Sequence, residues 1–184
     1  MVVLGIDPGS RRCGFGVVAR EGRRLALVES GVLVPGALPV AERLGRILDA
    51  LDAVIARAAP DEVSLEQVFS GVSARSALVL GQARGVALAA AARAGLPVFE
   101  YAPSAVKLAF TGNGRAGKDQ MIRTARALLG ADPRLSDEAD AIAIAVCHLA
   151  RSGVAAAAAA PRPGARAAAI ARLVPARRDH RGAL

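Results

Sequence analysis

The first 34 residues hold three apolar runs of strand character with no helical period, and nothing else in the chain limits its fold as strongly. Val2 to Ile6 ends at Asp7-Pro8-Gly9, and Gly14 to Ala19 is parted from Leu25 to Val34 by the turn-forming pair Glu21-Gly22. Connections this short join antiparallel neighbours. From Pro39 to Pro60 the period changes, with Val40, Leu44, Ile47, Leu48, Leu51 and Ile55 on one face and Arg43, Arg46, Asp49 and Asp52 elsewhere. This is an amphipathic helix covering a sheet.

A fourth strand is predicted over Val63 to Val68 and a fifth over Leu96 to Tyr101, with a helix from Ser76 to Ala92 between them. That helix is apolar almost all round and is expected to be buried, partly by another subunit. Lys118 to Leu129 reads as a helix stopped by Gly130, and Ser136 to Ala150 as a last helix capped by Ser136. The order βββ-α-β-α-β-α-α predicts an α/β domain over residues 1–150. Residues 151–184 are mostly Ala, Arg, Pro and Gly, and read as a disordered basic tail.

At 184 residues and 53% hydrophobic, the chain can bury a core without disulfides. Cys13 and Cys147 are too few and too far apart for a disulfide framework or a Cys-x-x-Cys zinc site, and His148 and His180 are the only histidines. No uninterrupted apolar run has the ~18 to 20 residues of a membrane span, and the start of the chain lacks a secretory pattern, so a cytoplasmic location is expected. The net charge of +8 falls mainly on the tail, at +6, leaving +2 on residues 1–150.

Four acids draw attention, two of them at strand positions where acids are disfavoured. Asp7 ends an apolar strand expected to be central, and Glu66 lies in the fourth strand on the face opposite Leu65. Asp137 and Asp140 are three apart at the start of the last helix and project from one face. Each has an ordinary explanation when taken singly: a turn-opening Asp, a solvated strand face, acids favoured by the helix dipole. Taken together, they deliver carboxylates from three elements to one end of a mixed sheet. Such an oxygen-rich cluster suits Mg²⁺ or Mn²⁺ rather than zinc.

Lysine occurs only at Lys107 and Lys118, against 22 arginines. An ammonium acts as a compact point charge where a guanidinium is a planar fork, so lysine kept at two places suits contact with a single phosphate oxygen or a metal-bound water. Phe69, one of five aromatics, stands three residues beyond Glu66 at the start of a Ser/Gly loop, where an exposed ring would stack on an unpaired base. Arg75, Arg84, Arg115 and Arg123 are candidate phosphate contacts. Gly81 and Gly85, four apart on a helix, would admit close packing of a second backbone.

The blocks G-I-D-P-G-S, E-Q-V-F, L-G-Q-A-R-G-V, L-P-V-F-E-Y, G-N-G-R-A-G-K-D-Q and D-E-A-D-A-I-A-I-A, taken in order, closely resemble the RuvC family of Holliday junction resolvases, from residue 2 to about 150. The resemblance implies an RNase H-like fold, a five-stranded mixed sheet flanked by helices, and a homodimeric endonuclease that nicks four-way junction DNA symmetrically. It implies two Mg²⁺ ions, with Mn²⁺ as a substitute, held by Asp7, Glu66, Asp137 and Asp140, with Asp7 bridging them. Lys107 and Lys118 would stand at the scissile phosphate and Phe69 at the junction's bases. A branch-migration helicase complex of the RuvA and RuvB type would be a partner. An RNase H-like nuclease acting on RNA and a noncatalytic junction-binding module are the alternatives; an actin-like ATPase needs a second domain that this length cannot hold.

Overall fold

In the computed structural model, residues 1–67 and 74–156 are described. Strands β1 (Val2–Asp7), β2 (Cys13–Glu21) and β3 (Arg24–Leu33) form the expected antiparallel meander, with Gly22 taking the positive φ of the β2–β3 turn. Helix α1 (Val40–Ala58) follows, closed by Ala59 in the left-handed region, whose N–H reaches the Ile55 carbonyl at 2.9 Å just ahead of Pro60. Strand β4 (Glu62–Glu66) pairs parallel with β1, and β5 (Val98–Tyr101) pairs parallel with β4. The order β3-β2-β1-β4-β5 makes one mixed sheet with β1 at its centre.

Alternation along the strands divides the core in two. Leu4, Ile6, Phe15, Val17, Val63 and Leu65 face α1 and the small-residue side of α2 (Ala74–Arg93). Val3 and Val18 face the opposite layer, built from α3 (Pro103–Thr111), α4 (Lys118–Leu129) and α5 (Ser136–Ala156), with Phe110, Met121, Ile142 and Leu149 at its heart. By the same two-residue period, Gly5, Asp7, Gly14, Gly16, Ser64 and Glu66 point toward α5.

Three expectations are corrected. Helix α3 was not foreseen, because Pro103 reads as the end of a strand; it is the first helical residue, where its missing N–H costs nothing. Helix α5 continues past the expected boundary at Ala150 to Ala156. β4 stops at Glu66, and the expected Val68 lies outside the described residues. The expected burial of α2 rests partly on another subunit; in the single chain Ala83, Ala87, Ala90 and Ala91 are covered, whereas Leu78 is 65% exposed and Gly81 and Gly85 face open space. The tail from residue 157 lies outside the described residues.

Candidate active site at the end of the sheet

Helix α5 is seated on the sheet backbone itself. A Cβ on Gly14 would stand 2.0 Å from the Asp137 carbonyl oxygen, and one on Gly5 would stand 2.2 Å from that of Ala141. Only residues without side chains admit the helix at this depth. Gly14 pairs with Asp7 across β1 and β2, so the contact with Asp137 sets the first turn of α5 beside the end of β1. Asp140, one turn on, shares that face. Glu66 ends β4, whose residue Leu65 pairs with Ile6, and so arrives at the same end of the sheet.

The electrostatics register this convergence. The Asp7 carboxyl is pushed up to about 7, first by burial and then by the charges of Asp140, Glu66 and Asp137, against a smaller pull from Lys118. Burial also raises Glu66, as does Asp140, while Lys107 lowers it. Asp140 is raised by burial and Asp137, and lowered by Lys107 and Lys118. Among the described residues, none of the four acids closes an ion pair or accepts a side-chain hydrogen bond. No three His, Cys, Asp or Glu side chains there converge as a ready-made metal chelate.

Both lysines are set by helices. Lys107 lies half-buried on α3, and Lys118 is the first residue of α4, exposed at the end of the Gly112–Gly117 loop. Thr111 and Asn113 side chains accept the backbone N–H groups of Asn113 and Arg115 at 3.1 and 3.0 Å, which shapes that loop. Arg115 and Arg123 are exposed, as phosphate contacts require. Arg84 is not free in this way: it donates to the Glu66 carbonyl at 2.9 Å and pairs with Glu100, tying α2 to the end of β4 and to β5. Phe69 and the Arg75 side chain lie outside the described residues.

Arg11, Arg12 and Arg43, which are not among the residues predicted from the sequence, line a cleft beside Asp137. The run Gly9-Ser10-Arg11-Arg12 was the available signal; Arg43 on an amphipathic helix gave none.

A five-stranded mixed sheet with three antiparallel and then parallel strands, helices on both faces and an acidic end is an RNase H-like domain. Residues 3–148 match the family model described as crossover junction endodeoxyribonuclease RuvC. A protein of Anaeromyxobacter dehalogenans (strain 2CP-C), named crossover junction endodeoxyribonuclease RuvC, is 80% identical over 187 residues, spanning 99% of each chain. Thermus thermophilus RuvC is similar at 40% identity with a TM-score of 0.74, covering 83% of this chain and 97% of that one. A second structure of that protein, in complex with Holliday junction substrate, gives a TM-score of 0.76 at 40% identity, covering 83% and 96%. The chain belongs to the RuvC family, and it is a DNA-cleaving hydrolase of the crossover junction type. No helix among the described residues is long and apolar enough to cross a membrane.

Proposed function

We propose that the chain resolves four-way DNA junctions by paired symmetric nicks, hydrolysing one phosphodiester in each of two strands of like polarity during recombination and repair. The observation that carries this reading is the convergence of Asp7, Glu66, Asp137 and Asp140 at one end of the sheet, with Asp7 raised to about 7 by burial and by the other three. Buried like charges call for a cation, and an all-oxygen donor set suits Mg²⁺, with Mn²⁺ as a substitute. Asp7, which feels all three other acids, would be the ligand shared by two ions. Divalent cations held there would supply charge neutralisation at the reacting phosphate and promote ionisation of the attacking water.

The chain's own residues do the rest. The four carboxylates orient the hydrated site on a rigid sheet end. Lys118 and Lys107, which already act on Asp7, Asp140 and Glu66 through their charges, hold positive charge where the phosphate gains negative charge. The helix dipole at the start of α4 adds to this. Phe69 would stack on a base at the open junction, and Arg75, Arg115 and Arg123 would contact backbone phosphates.

Paired nicks need two sites related by a dyad. The exposed stripe Leu78, Gly81, Gly85 on α2 supports a two-fold dimer through that helix. A helicase partner of the RuvA and RuvB type is proposed from family membership alone.

Incubating the purified protein with a synthetic mobile junction, a replication-fork analogue and an RNA–DNA hybrid, with and without Mg²⁺, tests the reading. The junction alone should be nicked, at symmetric positions and only with the cation. Preferential cutting of the hybrid, or junction binding with no cleavage under any divalent cation, would overturn it.

A further inference from the structure

Next to Asp137 the surface opens into a cleft of about 780 Å³ between the β1–β2 loop, the start of α1 and α2. Arg11 and Arg12 line it from the loop and Arg43 from α1. None of the three closes an ion pair among the described residues, although Arg57, Arg93 and Arg126 all do. The Nε of Arg43 is buried without a hydrogen-bond partner, a costly state for a charged group that has no anion beside it. Helix α1 adds to the same field. Its first turn, with Val40 lining the cleft, is preceded by Pro39, which offers no side-chain cap, so the leading amides keep their free donors. Glu42 in that turn is exposed and Asp137 sits at the rim, so the two nearby acids leave the three guanidinium groups unmatched.

A cleft that gathers three unmatched guanidinium groups and runs up to a carboxylate site is built for a polyanion whose reacting unit lies at that site. We infer that this cleft holds the phosphodiester backbone flanking the scissile phosphate on the strand being cut, with Arg43 as its central contact and Arg11 and Arg12 at its rim. Val40, Val79 and Leu80 give the remaining wall an apolar surface, suited to deoxyribose faces rather than to more phosphates. The inference rests on the junction-cleaving reading, to which it adds the path of the substrate strand.

The experiment compares junction binding by the full chain and its Arg43→Gln, Arg43→Lys and Arg11→Gln/Arg12→Gln variants, in EDTA, across a salt series. Thermal unfolding of each variant is recorded alongside. Arg43→Gln should weaken binding about five- to twentyfold at physiological salt and make the slope of log K against log salt shallower by about 0.9, the value of one phosphate contact. Arg43→Lys should recover most of the affinity, and the loop pair should make the slope shallower by about 1.8. Unchanged affinity and slope in a folded Arg43→Gln variant would overturn the inference, as would an unchanged slope in the loop pair should Arg43→Gln fail to fold. Failure of the parent to cut any junction would instead count against the proposed function, since the binding series reads the cleft without cleavage.

Discussion

The two ends of α5 bury polar groups on the same face of the same sheet, and they do so in opposite ways. At the far end His148 is 2% exposed, yet the Tyr101 hydroxyl meets its Nδ1 at 2.6 Å and its Nε2 meets the Glu62 carboxylate, while the Phe99 ring lies against the imidazole. Every polar atom of that imidazole is matched. At the near end, the charges of Asp7, Glu66, Asp137 and Asp140 act on one another, and Lys107 and Lys118 act on them through space. A satisfied buried network fixes structure, whereas an unsatisfied one is tolerated where a ligand completes it. One helix thus carries a structural pin and the proposed reactive site, told apart by their hydrogen bonds rather than by their burial.

The sharpest way to break the contrast is Asp7→Asn. Single-turnover cleavage should fall at least about 10³-fold, the several kcal/mol expected of metal-assisted charge stabilisation, while junction affinity holds or rises. Retained cleavage would remove Asp7 from the metal site. Gly14→Ala attacks the geometry instead. Its Cβ would displace the Asp137 carbonyl from 2.0 Å, so a cleavage loss of about 10²-fold and a stability loss of about 1–3 kcal/mol are expected. Denaturant unfolding and single-turnover assays on one preparation measure both.

At the other end the outcome should invert. His148→Ala strands the Tyr101 hydroxyl and the Glu62 carboxylate, lowering stability by about 2–3 kcal/mol, with cleavage below the melting range within about threefold of the parent. A large cleavage defect in the folded variant would mean that the two ends are not separable. The smallest effect is in pH. The folded state holds the Asp7 proton up to about 7, while the unfolded chain releases it near 3.8. Stability of the metal-free protein should therefore fall as pH rises from about 4 to about 7, by several degrees in Tm. Asp7→Asn should flatten that fall, and added Mg²⁺ should raise Tm more at pH 8 than at pH 5. Thermal scans of the two proteins across that range, with and without Mg²⁺, decide it.

The candidate acids stand out in the sequence because a carboxylate ending an apolar strand conflicts with its surroundings at the level of one residue and its neighbours. The strand order was legible for a related reason, as turn residues and a two-residue period are local signals. Helix α3 was hidden because Pro103 ends a strand and begins a helix equally well, and Val106 and Phe110 are only two apolar positions of one period. The His148 network joins Glu62, Tyr101 and His148 from three elements, and no spacing along the chain foretells their meeting. Arg43 looked like any solvated helix arginine until α2 and the β1–β2 loop closed around it.

The bare seat of α5 on Gly5 and Gly14 has a mechanical meaning. Side chains between a helix and a sheet act as a compliant layer, able to hop rotamers and let the two elements slide. Here backbone rests on backbone, and that layer is missing under the first turns of the helix. The gap between Asp7 and Asp137 is thereby stiff, because any drift of the helix toward the sheet meets main-chain atoms rather than rotatable ones. On the proposed function, the carboxylates would not have to be repositioned for each cut.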